Sequence, residues 1–471
     1  MIFSKLKLHR LYAFPAVFLL AFTIAVFRYM HKHFADANLG QILFFLNTPS
    51  EGVDENLRRW FIEHCLLTPC IYVLAVCYLP ELLKLLRIKV PFAKFSYNWF
   101  ISLLSLLLTV GYIFYKVDSA TIERFLSNES SDFYEQHFAE PRKADIQFPV
   151  KKNLIVLHVE SFEKTFENRE FFGENLLADF EDMEAQNVQF KNFVNGFATD
   201  FTQGSIIALF TGMPAKYGSL IQRVGRYLHF FHGYYSLGKI LKDNGYTLAA
   251  VQGTDSKFGG MEVFLVDNEV EDKIDSKIIR KNYPQYAQNS PWGYTDDVVL
   301  NIAKDKVVEL AKRPPYFLHV QTIDTHVGHK KKMQKSASNG NVYLEMIRQT
   351  CKDVAAFLKW MQQRPEYKDT VIVLIGDHLR LGNDFPMPEE RRIYNLFINT
   401  PQPENVDRTF SQVDLFPTVI EAMGGKIKGH RLGIGTSVFS KKQTFSEKYS
   451  EEYLHETLAK RNKLYEEMFL R

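Results

Sequence analysis

The first quarter of the chain holds three apolar stretches that a water-soluble fold does not need, and they fix the class of protein before any other feature is read. Residues 11–30, LYAFPAVFLLAFTIAVFRYM, carry one charge, Arg28, near their end. Residues 64–86, HCLLTPCIYVLAVCYLPELLKLL, stay apolar until Pro80 and Glu81. Residues 98–115, NWFISLLSLLLTVGYIFY, are charge-free and edged by Trp99 and Tyr115, the interfacial placement that aromatics favour. Each approaches the roughly 20 residues that a helix needs to cross a bilayer. Three spans are expected, since ILFFL at 42–46 is too short for a fourth. The alternative for the first span, a secretory signal peptide, fits worse because the segment is long and lacks a small-x-small cleavage site.

Basic residues suggest the orientation. Lys5, Lys7 and Arg10 precede the first span, and Arg87, Lys89 and Lys94 lie between the second and third, so both segments are expected on the cytosolic side. Lys32, Arg58 and Arg59 in the intervening loop pull weakly the other way. With that orientation the third span delivers everything after residue 115 to the outer side. Three cysteines, Cys65, Cys70 and Cys77, fall in or beside the second span, which leaves Cys351 alone in the remainder. That remainder is therefore expected to be stabilised by its core and not by an internal disulfide. With 46% hydrophobic and 14% aromatic residues over 471 positions, the core can be large. A net charge of +3 without blocks of like charge gives no reason to expect a nucleic-acid partner.

Residues 116–150 are polar and read as a juxtamembrane linker with short helices. At 153 the pattern changes to NLIVLHVES, a β-branched and leucine run of the kind that forms a strand buried on both faces. Comparable runs return at 247–253, 316–324, 370–378 and 393–400. Helical stretches lie between them, among them YYSLGKILKDNGY, with Gly245 as its stop, and NVYLEMIRQTCKDVAAFLKWMQQR. The alternation predicts an α/β domain over 151–440 with a mixed, mostly parallel sheet sandwiched by helices. The tail over 441–471 reads as a charged, solvated helix.

Three of the buried runs end in residues that a metal or phosphate would attract: His158-Val159-Glu160, Asp324-Thr325-His326 and Asp377-His378. Ligands of open α/β sheets gather outside the carboxyl ends of strands, and oxygen and imidazole donors converging there suit Zn²⁺ or Mn²⁺. A fourth stretch, FATDFTQGSIIALFTGMP at 197–214, reads as a helix that closes at Gly212 and Pro214, with Thr202 at or just before its start. On these residues alone an N-cap hydroxyl is the simpler account of Thr202. The same place also favours an alkoxide and the phosphate it attacks, because free N–H groups and the helix dipole stabilise negative charge there. Gly204 would then let a phosphate approach the backbone closely.

Taken together, NLIVLHVES, DFTQGSIIALFTGMP, QTIDTHVGH, LIGDH and SQVDLFPTVIEAMGG occur in an order and spacing that resembles the alkaline phosphatase/sulfatase superfamily over about residues 150–440. The chain is most similar to its membrane-anchored branch of phosphoglycerol and phosphoethanolamine transferases. The resemblance implies an alkaline phosphatase-like fold and one divalent cation, Mn²⁺ or Zn²⁺, on Glu160, Thr202, Asp377 and His378, with Thr202 also the nucleophile. It implies that His326 holds the phosphate and protonates the leaving alkoxide, that His329 is a weaker candidate for the same pocket, and that the segment around Asp414 is structural.

By the same resemblance the donor is a phospholipid, phosphatidylglycerol before phosphatidylethanolamine, and the acceptor a hydroxyl of an envelope glycan or of a glycolipid such as lipid A. The location implied is a bacterial cytoplasmic membrane with the catalytic domain on its periplasmic or extracellular side. Two departures narrow this. The Cys/Ser-x-Pro-x-Arg signature of classical sulfatases is absent after Thr202, which disfavours sulfate ester hydrolysis. The Trp-x-Arg pair of lipoteichoic acid synthases is replaced in KFGGME by glycines and a methionine, which disfavours glycerol-phosphate polymerisation. A soluble-substrate phosphodiesterase and a membrane-tethered binding module with a dead site are the remaining alternatives, the first leaving the spans without a purpose and the second requiring a lost ligand.

Overall fold

The computed structural model describes residues 13–34, 41, 55–86, 94–117, 129–216, 231–288, 292–326, 341–382 and 386–469. The chain divides into two compact units, residues 1–39 with 53–126, and residues 40–52 with 127–471.

In the first unit, α1 (Phe14–Phe34) packs against α2 (Thr68–Leu85) and α3 (Lys94–Lys116), burying Ala13, Val17 and Val73. The helix Glu55–Phe61 and a π-helical stretch over Ile62–Leu67 lead into α2 without a break. Three segments, Phe14–Phe34, Leu57–Val76 and Trp99–Lys116, are long and apolar enough to cross a membrane. The second starts earlier than the composition at 64 suggested, because Leu57, Trp60 and Phe61 join the helix on its apolar side. Ile71, Leu107 and Trp99 are each more than 60% exposed, so these helices present apolar surface outward instead of burying it.

The second unit is built on a six-stranded sheet. Its strands are β1 (Asn153–Val159), β2 (Thr247–Gln252), β3 (Asp272–Ile274), β4 (Tyr316–Gln321), β5 (Thr370–Gly376) and β6 (Asn395–Ile398), in the spatial order β3-β2-β4-β1-β5-β6. All neighbours are parallel except β5 and β6. Five of the six fall on the runs read from sequence; β3 is only three residues long and two of them are charged, which is why its pattern is silent.

Alternation along the strands divides the core in two. Leu154 and Val156, with Val371 and Val373, face one layer; Ile155, Leu157 and Val159, with Ile372 and Leu374, face the other. Each such side chain, fully buried, contributes about 1.5–3 kcal/mol. The first layer is covered by α4 (Thr202–Thr211), α5 (Leu237–Asp243) and, further along the chain, α8 (Leu415–Ala422); the second by α6 (Asp296–Leu310) and α7 (Val342–Gln362). Helices on both faces of a mostly parallel sheet give the α/β architecture that the alternation predicts. The charged tail forms three short helices, Phe445–Lys448, α9 (Glu451–Ala459) and α10 (Lys463–Phe469), and Leu458 and Tyr465 are buried in the first core layer. Phe133 and Tyr134, within the polar stretch ahead of the sheet, enter the same layer.

Because β1, β4 and β5 are adjacent and parallel, the residues that follow them emerge at one edge. The turn after β1 passes so close to the end of β5 that a β-carbon on Gly376 would lie 1.9 Å from the Phe162 carbonyl oxygen. After β4, Asp324 meets Asp296 at the start of α6. Asp296 accepts from the Ile323 and Asp324 amides at 2.7 and 3.0 Å and from the Thr350 hydroxyl at 2.9 Å, and its own amide donates to Asp324 at 3.0 Å. Burial raises both carboxyl groups above the usual range, and the Asp296 charge raises Asp324 further.

Two outcomes follow. Gly376→Ala should destabilise the protein by about 1–3 kcal/mol in urea melts through forced overpacking; an unchanged midpoint would show that the turn yields freely. A carboxyl group whose folded pKa is raised contributes stability that is complete below its unfolded value and is lost as pH rises through the folded one. Asp324→Asn, which keeps the shape and removes the charge, should therefore gain stability relative to the parent as pH rises from about 4 to about 8, the folded value of Asp324; a difference that stays flat with pH would contradict the pairing.

Candidate active site

Glu160 follows β1 and is almost wholly buried. Its amide donates to the Thr322 hydroxyl at 3.1 Å, and its carbonyl accepts from the Thr325 hydroxyl, so the exit from β4 holds it from one side. Asp377 and His378 follow β5. Ser161 joins the groups: its amide donates to Asp377 Oδ1 at 2.7 Å and its hydroxyl to Glu160 Oε1 at 2.8 Å. Ser161 has φ 48°, the left-handed region that a non-glycine residue occupies only when its surroundings enforce it. Sequence reasoning passed over Ser161, although its place beside a candidate ligand was the available signal.

The Thr202 hydroxyl donates to Glu160 Oε2 at 3.1 Å. Thr202 is the first residue of α4 and not its cap; the extended residue Phe201 occupies the cap position and has no oxygen to offer. The capping account of Thr202 is thereby set aside: its oxygen turns to a buried carboxylate, and the residue at the cap position, Phe201, makes no side-chain capping bond. Gly204 is packed tightly. A β-carbon there would lie 2.7 Å from both the Ala198 carbonyl oxygen and the Phe201 ring, so packing by itself explains the glycine.

Glu160, Asp377 and His378 each offer a ligand atom within 4.8 Å of the others, all three buried. His378 Nδ1 donates to the Leu379 carbonyl at 2.9 Å, which leaves Nε2 facing Glu160 and Asp377 at 3.6 and 3.5 Å. Asp377 Oδ2 is buried and has no hydrogen bond among the described residues. Burial first and the Glu160 charge second push Asp377 up to about 7. Burial alone would lower His378, but Asp377 and Glu160 outweigh it and raise the imidazole. An orphaned carboxylate oxygen, a second carboxylate and an imidazole nitrogen, converging in a buried cluster, fit a divalent cation. The donor set of carboxylates, hydroxyl and one imidazole is as suited to Mn²⁺ as to Zn²⁺.

His326 reaches the same edge through Thr325. Its half-buried ring lies 4.4 Å from that of Trp292, which stands 6.2 Å from Phe258. The adjoining Gly259, at φ 63°, packs on the side chain of Gln203, the residue after Thr202. Trp292, one of four tryptophans, was not singled out from the sequence. His329 lies outside the described residues. His158, named with the end of β1, points instead into the core under α4: Nδ1 pairs with His319 Nε2 at 3.0 Å and Nε2 with the Ser205 hydroxyl at 3.1 Å. Asp414 is buried and accepts from the Ser411 and Thr436 amides at 2.9 and 2.8 Å. The neighbouring Gln412 bonds the Asp377 carbonyl at 3.0 Å and accepts from the Gly196 amide and the Thr199 hydroxyl, tying the segment before Thr202 to the ligand cluster.

Comparison with known proteins places this geometry. The family model described as Sulfatase matches residues 152–425. Phosphoglycerol transferase I of Escherichia coli strain 55989 is 28% identical over 357 residues, which cover 72% of this chain and 46% of that protein. The chain thus spans about half the length of the curated relatives it matches. Among solved structures, lipoteichoic acid synthase LtaP from Listeria monocytogenes superposes with a TM-score of 0.52 at 18% identity, over 63% of this chain and 79% of that one. The lipooligosaccharide phosphoethanolamine transferase EptA from Neisseria meningitidis gives 0.52 at 12% identity, over 98% of this chain and 89% of that one. At such identities the structures share the fold. With the family model covering more than half of its length, the chain belongs to the sulfatase family of the alkaline phosphatase superfamily.

Proposed function

We propose that the protein is a membrane-bound transferase that moves the phosphoglycerol headgroup of phosphatidylglycerol to a hydroxyl of a cell-envelope glycan through a covalent intermediate on Thr202. The observation that carries this is the Thr202 hydroxyl, at the start of a helix and hydrogen-bonded to Glu160 inside a buried Glu160-Asp377-His378 cluster. A divalent cation held by Glu160, Thr202, Asp377 and His378 would supply the charge that makes the hydroxyl acidic near neutral pH. Thr202 Oγ1 attacks phosphorus and its proton passes to Glu160, on which it already points. The bond from phosphorus to the diacylglycerol oxygen breaks, and His326 gives that oxygen its proton. The uncapped amides of α4 stabilise the equatorial oxygens. In the second step the acceptor hydroxyl attacks the phospho-threonine and loses its proton to His326, the bond from phosphorus to Thr202 Oγ1 breaks, and Thr202 takes back its proton from Glu160. His329 is a further candidate to hold the phosphate.

Phosphoglycerol is preferred over phosphoethanolamine because the curated relatives are phosphoglycerol transferases. A phosphoethanolamine transferase acting on lipid A or another glycolipid would use the same threonine. Three apolar helices in the first unit would keep the catalytic face within reach of its lipid donor, raising the effective donor concentration. The charge pattern around them supports a cytoplasmic-membrane location with the catalytic domain on the outer side.

Vesicles carrying labelled phosphatidylglycerol or phosphatidylethanolamine should release diacylglycerol from the first, and mass spectrometry of the donor-loaded protein should find a glycerophosphate adduct on Thr202 that Thr202→Ala abolishes. Release from phosphatidylethanolamine alone would move the assignment to the second donor, and an active Thr202→Ala protein would refute the nucleophile. Ser161→Ala should weaken Mn²⁺ binding about 10–100-fold by calorimetry, as loss of a residue that orients ligands does; unchanged affinity would mean that Ser161 does not orient the carboxylates.

A further inference from the structure

α4 does not rest on the sheet alone. The segments that enter and leave it are joined to each other, since the Ala215 amide donates to the Ala198 carbonyl at 3.2 Å, and both meet the C-terminal helices. On the entry side, Phe197 stacks edge-on against His455 of α9, ring centroids 5.7 Å apart. On the exit side, the Tyr465 hydroxyl of α10 donates to the Pro214 carbonyl at 2.7 Å and accepts from the Lys216 amide at 2.9 Å. The Lys216 amine, on a residue 2% exposed, donates to the Leu458 carbonyl in the last turn of α9 at 3.0 Å and to that of Lys460 just past it. It lies over the rings of Tyr134 and Tyr465, 5.2 and 4.9 Å from their centroids. Asn462 locks α10 in turn, accepting from the Tyr465 amide at 2.9 Å and donating to the Ser131 carbonyl at 2.6 Å.

A solvated terminal helix needs none of this. Burial pushes the Lys216 amine down to about 7, the cost of enclosing it, and its donors are spent on joining two chain segments more than 200 residues apart. The clasped segment also carries strain. Ala198 has φ 51°, the left-handed region that a non-glycine residue keeps only where neighbours over-determine it. Its carbonyl is the one that Gly204 packs against, so the strained turn and the first turn of α4 are set together.

We propose that α9 and α10 form a clasp that fixes the strained turn ahead of Thr202, with Tyr465 and Lys216 as positioning residues for the nucleophile. The inference rests on the assignment of Thr202 as nucleophile. The clasp acts on the segment that carries Thr202, whereas the other three candidate ligands, Glu160, Asp377 and His378, follow β1 and β5. Misplacing a reacting group by about 1 Å can cost up to roughly 10²-fold in rate.

The test uses the full-length protein in phosphatidylglycerol vesicles at 25 °C. Tyr465→Phe, which keeps the ring and removes the bridging hydroxyl, and Lys216→Met, which keeps the stem and removes the ammonium, should each lower kcat for diacylglycerol release about tenfold or more. KM for the donor and the Kd for Mn²⁺ should stay within about twofold, and a thermal melt should show both variants folded at the assay temperature. Parental kcat in Tyr465→Phe would overturn the clasp. So would kcat and Mn²⁺ affinity falling together, because that is general loosening. Thr202→Ala, run alongside, separates the two ideas: if it remains active the nucleophile assignment fails, whereas an inactive Thr202→Ala beside a fully active Tyr465→Phe defeats the clasp alone.

Discussion

Two buried carboxylates, Glu160 and Asp377, stand close enough to share a third ligand, and the surrounding structure is arranged to hold them there. Like charges in a low-dielectric site repel, which is why burial and Glu160 together push Asp377 up to about 7. Parallel pairing of β1 with β4 and β5 fixes where the backbone delivers them. Gly376 lets the turn after β1 pass, and Ser161, in a strained conformation, donates to both groups. The imidazole of His378 is turned toward them by its bond to the Leu379 carbonyl. Such an arrangement is stable once positive charge enters it, and the hydroxyl of Thr202 is placed where that charge would act.

Much of this was legible because the informative residues sit at places where local chemistry is explicit. The β-branched runs that became β1, β2, β4, β5 and β6 are buried on both faces, and such runs stand out against the amphipathic helices between them. Glu160, Asp377 and His378 were legible as polar residues at the ends of apolar runs. Thr202 was visible but ambiguous: at the start of a helix, capping and nucleophilic roles call for the same residue type, and it is the contact with Glu160, 42 positions away, that speaks against capping.

What the sequence hid depends on tertiary contact. Ser161 is an ordinary serine until the turn after β1 meets the end of β5. Trp292 comes next to His326 through two loops, a proximity that no spacing encodes. His158 looks from sequence like a strand-end ligand, but the side-chain period of two puts it on the α4 face with Leu154 and Val156, while Glu160 lies past the end of the strand at Val159. The charged tail was misleading for a physical reason: only Leu458 and Tyr465 of α9 and α10 are buried, too few apolar positions to outweigh the surrounding charge in a composition reading.

The central claim is that Glu160, Thr202, Asp377 and His378 converge on one cation. A crystal grown with Mn²⁺ and measured at a wavelength where manganese scatters anomalously tests it directly. A single strong anomalous peak within about 2.5 Å of His378 Nε2, the Thr202 hydroxyl and one oxygen each of Glu160 and Asp377 is the expected result. A peak that lies elsewhere, or one coordinated by the carboxylates while the Thr202 oxygen stays hydrogen-bonded out of its reach, would contradict it.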